Sequence, residues 1–286
     1  MSFYEDEFQV VEIPSSIDTS VQKAIFRKAK NNGQPLIVSF HTWGGDYAQN
    51  DPLRDKISDE DWNYIFPDFR GPNKQSKSCM SELVVADVED AINFALSNID
   101  DVKKVVLIGR SGGGGVVLKS YLNLDVKIDA FIAWCPVTDL ESFYYHSLCV
   151  GDEYSSDIIS CVNNDLSLMN ARSPIHDKTN VPVNSLLEIY AGIHDGCTGP
   201  VSITHSVDFY NKIMRYMNWE HEVVQDDVII KLLARSIPAI SGYEIGDRKV
   251  YLLKERYPFS LTVFDGGHEM LVDYSIERIK KIISAH

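Results

Sequence analysis

Three short stretches carry residues whose types and spacing suit nucleophilic chemistry. In KVVLIGRSGGGGVVLKSYL, Lys104 to Leu122, an apolar run stops at Gly109, Arg110, Ser111, Gly112 and Gly113, then resumes as a helical pattern. A serine alone is a weak nucleophile. It works when a histidine takes its proton and a carboxylate holds that histidine in one tautomer. SLLEIYAGIHDG places Asp195 just past a later apolar run, and LTVFDGGHEM places His268 just past the last one. Serine, aspartate and histidine in that chain order, each at a strand end, is what a G-x-S-x-G turn between strand and helix requires. The chemistry this set supports is acyl transfer, with Ser111 attacking a carbonyl, His268 moving the proton and Asp195 orienting His268.

The glycines around Ser111 narrow the choice. Each glycine in a helix costs roughly 1 kcal/mol against alanine, so a run of four, Gly112 to Gly115, implies that neighbouring backbone approaches closely. A phosphate-binding loop would need Lys and then Ser or Thr after its last glycine, and valine stands there instead. A dinucleotide fingerprint opening at Gly112 would need glycine where Val117 stands. Both nucleotide readings fail. Gly109 and Gly113 are expected to clear space around a strained serine, and Gly114 and Gly115 to let the helix pack on adjacent strands. Backbone amides must also receive the charge that develops on the attacked oxygen. One is expected at Gly112 and the second at Trp43, in HTWGGDY after the run LIVSFH.

Other residues compete for these roles. Asp139 in CPVTDL is a second candidate for the acid. Asp265 lies too near His268 along the chain to orient it easily. His194 reads as a loop histidine, His41 as structural and Cys197 as a small buried thiol.

The elements that must position these residues follow from apolar periodicity. Runs at Pro35 to His41, Trp62 to Phe69, Lys104 to Gly109, Ala130 to Val137, Ser185 to Gly192 and Ser260 to Gly267 are apolar almost throughout, as strands buried on both faces are. Helical patterns alternate with them, for example Val88, Ala91, Ile92 and Ala95, and a final amphipathic stretch from Met270 to Ile283. Alternating strands and helices imply an α/β fold with a mostly parallel central sheet and helices on both faces. The alternation in SVQKAIFRKA predicts antiparallel strands at one edge. The whole chain, 1–286, reads as a single domain, with insertions at about 141–180 and 218–257 that fit no strand–helix unit and are expected to cap the strand ends. Arg110 beside the serine, and Ile229 and Leu233 in the second insertion, are the expected substrate contacts.

Composition excludes several classes. With 41 acidic and 27 basic residues, net −14, and no basic stripe, neither nucleic acid nor an anionic membrane is an expected partner. MSFYEDEFQVVEIP is acidic where a secretory signal needs positive charge, so a cytoplasmic location is expected. The five cysteines show no close pairing along the chain and read as reduced thiols rather than a disulfide framework. No CxxC or HExxH spacing occurs, so no metal and no cofactor is expected.

With these pieces assembled, the chain resembles an α/β-hydrolase of the prolyl oligopeptidase and acyl-esterase group from about Lys23 onward. FHTWGGDY corresponds to that group's oxyanion loop and PDFRG to its Asp-Tyr-Arg-Gly stretch, followed by DVEDAINFAL, GRSGGGG, PVTDL, SPI, IYAGIHDGCTGPVSITHSVDFYNKI and FDGGHEM. The resemblance implies Ser111, Asp195 and His268 as triad, and Trp43 and Gly112 as oxyanion donors. The chain departs from the group in having Thr42 where glycine is usual, no aromatic residue after the serine, and an extra segment between acid and histidine. Peptidases of the group usually carry a large β-propeller, for which this chain has no length. The resemblance therefore implies a carboxylic-ester hydrolase acting on a small substrate such as an acylated sugar. A serine peptidase acting on short peptides is the second reading, and a non-catalytic binding module of the same fold the third. The partner expected is the small ester or peptide itself, and self-association into a homo-oligomer is left open.

Overall fold

The computed structural model describes residues 7–285. The first six residues of the acidic amino-terminal stretch lie outside the described residues. Among the described residues ten strands run in chain order: β1 (Gln9–Pro14), β2 (Val21–Arg27), β3 (Leu36–Phe40), β4 (Asn63–Pro67), β5 (Val105–Arg110), β6 (Ala130–Trp134), β7 (Leu186–Gly192), β8 (Glu244–Ile245), β9 (Arg248–Arg256) and β10 (Phe259–Phe264). They lie side by side in the order β1-β2-β4-β3-β5-β6-β7-β10-β9-β8. The block from β4 to β10 is parallel. The pairs β1–β2, β2–β4, β9–β10 and β8–β9 are antiparallel. The edge hairpin expected from SVQKAIFRKA is β1 and β2.

Among the described residues nine α-helices accompany them: α1 (Arg54–Asp59), α2 (Glu82–Asn98), α3 (Gly112–Asn123), α4 (Leu140–Val150), α5 (Tyr154–Cys161), α6 (Ser167–Arg172), α7 (Thr204–Tyr216), α8 (Asp226–Leu233) and α9 (Val272–Ser284). Strands β3, β4 and β6 are buried along their whole length because both sheet faces are covered. Side chains alternate between the faces of a strand. Leu36 and Val38 of β3 therefore enter one core with α2, α3 and α7, while Ile37 enters the other with α1 and α9. The stripe Val88, Ala91, Ile92 and Ala95 is buried on α2, as its spacing predicts.

Residues 141–180 fold as α4, α5, α6 and a short 3-10 turn, Pro174–His176, inserted between β6 and β7. Residues 218–257 do not form only a cap. Their last part is β9, hydrogen-bonded along β10, so much of the segment widens the sheet. Just before α8, Asn211 of α7 brackets Val224 by donating to its carbonyl and accepting from its amide. Leu232 is the buried residue of α8 and Ile229 packs on the main core, whereas Leu233 is 42% exposed.

The cysteines also depart from expectation. Cys79 and Cys161, 82 residues apart, form a disulfide that ties the loop before α2 to the end of α5. Cys135 is free and buried, and Cys149 and Cys197 are free and exposed, so Cys197 is not the buried thiol its context suggested. No described helix is long and apolar enough to cross a membrane.

Candidate active site

Ser111 joins β5 to α3 with φ 61° and ψ −124°, a backbone conformation that L residues adopt only where surrounding structure enforces it. Three hydrogen bonds enforce it. The Ser111 amide donates to Trp134 O at 2.9 Å, and its carbonyl accepts from the amides of Gly115 at 2.9 Å and Val137 at 3.2 Å. The close approach expected of the glycines is present. A Cβ on Gly109 would lie 2.5 Å from Gly113 O, and one on Gly113 2.6 Å from His41 O. Gly114 and Gly115 face Trp134 O and Val137 O in the same way, so α3 starts flush against the ends of β3 and β6. The Ser111 hydroxyl has no hydrogen-bond partner among the described residues, and the residue is 6% exposed.

Asp195 and His268 follow β7 and β10, which are paired neighbours in register at Gly192 and Phe264. His268 Nδ1 lies 2.6 Å from Asp195 Oδ2. The other carboxylate oxygen, Oδ1, accepts from the amides of Gly196 at 3.0 Å and Val201 at 3.1 Å. Asp195 is buried, while the His268 side chain is 16% exposed. An Nδ1 facing a carboxylate carries the proton, which leaves Nε2 as the acceptor. Close packing sets the ring in place, because a Cβ on Gly199 would lie 2.8 Å from His268 Cβ. No hydrogen bond joins Ser111 to His268 directly. The link runs one residue away, where Arg110 Nη1 donates to His268 O at 3.0 Å. Arg110, read from sequence as a substrate contact, is thus engaged with the histidine's own backbone.

The rival residues have other work. Asp139 caps α4, its Oδ1 accepting from the amides of Glu141 and Ser142 at 3.0 Å each. Asp265 faces His194 Nε2 at 3.1 Å on the surface. His41 is fully buried, stacked on Phe69 at 3.8 Å, and burial lowers its pKa. Behind Asp139, His205 is buried and its pKa is pushed down to about 4 by burial. Its Nδ1 accepts from the amide of Thr138 at 3.2 Å.

Beside the serine, the Gly112 and Trp43 peptides lie against one another. A Cβ on Gly112 would come within 3.0 Å of Trp43 N, and neither amide donates to an acceptor among the described residues. Gly112 also opens α3, so the helix dipole adds positive potential there. The Trp43 peptide is held from behind, its carbonyl accepting from the Asn73 amide at 2.9 Å and from Asn73 Nδ2 at 3.1 Å. Its indole Nε1 donates to Asp157 Oδ2 of α5 at 3.2 Å, and its ring packs on Phe143 and Tyr154. Asn73 and Asp157 carry no motif, and sequence reading missed both. A signal was available only for Asn73, which lies just past the PDFRG stretch.

Two cavities flank the set. One, of about 350 Å³, lies between α4, α5 and the Asp195 loop, lined by His146, Tyr154, Gly196, Thr198 and Pro200 among others. The other, of about 260 Å³, lies beside Arg110, Thr42, Gln49 and Met270. A free hydroxyl on a strained turn, a carboxylate–imidazole pair and two unpaired amides together can attack an acyl carbon, pass a proton to its leaving group and stabilise the charge on its oxygen.

No protein-family model and no curated protein matches the chain. Among solved structures it superposes on an esterase of Pyrococcus furiosus with TM-score 0.64 at 13% identity, covering 97% of this chain and 90% of that one. It also superposes on the Pyrococcus horikoshii acylaminoacyl peptidase with TM-score 0.62 at 14% identity, covering 96% of this chain. The chain has the α/β-hydrolase fold. A third structure with that fold, the apo prolyl oligopeptidase B of Galerina marginata, matches with TM-score 0.55 at 20% identity over 78% of this chain. Within the α/β-hydrolase fold, this chain spans about 40% of the length of the acylaminoacyl peptidase and 33% of that of the oligopeptidase. The Ser111 turn, Asp195 loop and His268 loop described above sit at the carboxyl ends of β5, β7 and β10, where pockets of open α/β sheets lie.

Proposed function

We propose that the protein is a serine hydrolase that cleaves the carboxylic ester of a small molecule. The observation that carries this reading is the His268 Nδ1 to Asp195 Oδ2 contact of 2.6 Å, which fixes the tautomer and orientation of the ring at the strand ends that present Ser111 on its strained turn.

In this reading Ser111 Oγ attacks the ester carbonyl carbon while His268 Nε2 takes the hydroxyl proton. The charge on the carbonyl oxygen is received by the amides of Trp43 and Gly112. Collapse breaks the bond to the leaving alcohol, which takes the proton back from His268. Water then repeats the sequence on the acyl-serine, releasing the acid and restoring Ser111. Asp195 remains ionised throughout and balances the imidazolium.

The ester reading draws support from the match to the Pyrococcus furiosus esterase, which this chain covers over 90% of its length against 40% for the acylaminoacyl peptidase. Peptide hydrolysis by the same groups is the second reading, supported by the likeness to both peptidases. A panel of p-nitrophenyl esters and aminoacyl p-nitroanilides separates the two. The ester reading expects turnover of short-chain esters that Ser111→Ala abolishes. Faster turnover of the anilides would replace it with the peptidase, and no turnover of either class would favour a binding module.

A further inference from the structure

The residues at the carboxyl end of β6 hold Ser111 from below, and Cys135 stands at their centre. Trp134 O accepts from the Ser111 amide, and two residues beyond Cys135 the Val137 amide donates to Ser111 O. The Cys135 amide itself donates to Tyr190 O of β7 at 2.7 Å. This turn forces Cys135 to φ 45°, in the left-handed region where glycine would sit without strain. A side chain retained at such a position needs contacts that offset the backbone cost.

Those contacts converge on the acid and the histidine. Cys135 Sγ lies 3.6 Å from Gly267 O and 3.6 Å from Glu269 O, the carbonyls on either side of His268. Sγ, an Asp195 carboxylate oxygen and a His268 ring nitrogen all lie within 4.8 Å of one another. The carbonyl between the two, His268 O, is the one that Arg110 Nη1 holds. Three consecutive carbonyls around the base are therefore gripped by two side chains, one from β5 beside the nucleophile and one from the end of β6. Burial and the neighbouring Asp195 charge push the Cys135 thiol well above its ordinary range, so it stays a neutral S–H donor facing acceptors only.

We infer that Cys135 is a positioning residue for the proposed hydrolysis, its S–H group holding the His268 segment and the Asp195 carboxylate in register with Ser111. It neither touches substrate nor exchanges a proton. A thiol suits the place because sulfur reaches two carbonyls at 3.6 Å from a small side chain, whereas a second carboxylate or imidazole would compete with Asp195 for His268. The inference rests on the hydrolase reading, so its test needs a measurement that does not depend on turnover.

The experiment compares wild type, Cys135→Ala and Cys135→Ser by melting temperature, by kcat and KM on the best ester, and by the downfield proton resonance of the His268 Nδ1–H···Asp195 hydrogen bond, which Asp195→Asn assigns by abolishing it. A slightly misplaced base costs on the order of 10-fold or more in rate without changing ground-state binding. Cys135→Ala should therefore lower kcat about 10-fold at nearly constant KM and shift or broaden the resonance. Cys135→Ser keeps a donor and should fall between. Wild-type kcat and an unmoved resonance in Cys135→Ala would overturn the inference. So would equal losses in both variants that follow the melting temperature alone, since that is the signature of packing. If the resonance moves as expected while no ester or anilide is turned over by wild type, the positioning stands and the hydrolase reading is what fails.

Discussion

Replacing Asp195 by asparagine tests how the acid works, because the structure dictates which way the new amide must face. Asp195 Oδ1 accepts from the amides of Gly196 and Val201, so in Asp195→Asn the side-chain oxygen has to occupy that position. The NH2 group then replaces Oδ2, 2.6 Å from His268 Nδ1, and presents a donor to a donor. His268 relieves the clash by moving its proton to Nε2, the nitrogen that should accept from Ser111. The fold is undisturbed and the base is in the wrong tautomer. In other triads this substitution costs about 10⁴ in kcat, equivalent to about 5.4 kcal/mol at 1.36 kcal/mol per decade. The control is Asp139→Ala, which removes the α4 cap: it should cost about 0.5–2 kcal/mol of stability and leave kcat within about threefold. Pre-steady-state release of p-nitrophenol from an activated ester reads acylation, and urea unfolding reads stability. Asp195→Asn retaining kcat within about tenfold, or a larger kcat loss in Asp139→Ala, would refute the reasoning.

Two further outcomes follow. Folding holds the His205 pKa at about 4 against 6.5 for the free side chain, so the folded state excludes a proton that the unfolded chain binds. Stability should be constant above about pH 6.5 and fall by up to about 1.4 kcal/mol per unit between there and about pH 4. Urea unfolding at pH 7 and pH 4.5 checks this, and His205→Gln should flatten the dependence; an unchanged slope would contradict it. The disulfide closes a separation of 82 residues, for which the chain-entropy relation gives about 4.5 kcal/mol. The double variant Cys79→Ala, Cys161→Ala should lose stability of that order by urea unfolding, and no loss would count against the bond.

The parts legible in the sequence are those in which one short segment must satisfy both a structural and a chemical demand. GRSGGGG declared its strand, strained turn and flush helix at once, because the glycines facing Gly113 O and His41 O tolerate no Cβ. Asp195 and His268 were legible because each follows an apolar run buried on both faces. In 218–257 the helical spacing of VIIKLL is the stronger signal, although the alternation of Val250 and Leu252 in RKVYLLKER marks a strand covered on one face, which pairs with β10 and β8. The Cys79–Cys161 pair left no trace, since a contact between residues 82 apart is made by the fold and not by spacing. The same holds for Asp157 behind Trp43, and for Arg110, whose reach to His268 O depends on β5 and β10 ending at one sheet edge.

The central claim is that Ser111 is a nucleophile activated by His268 and Asp195, and the most direct measurement is covalent labelling. Wild-type protein incubated with a fluorophosphonate and analysed by intact mass and peptide mapping should carry one adduct, on the peptide containing Ser111. Ser111→Ala should carry none, and Asp195→Asn should label far more slowly. An adduct on another residue, or a wild-type protein that stays unlabelled while folded, would contradict the account.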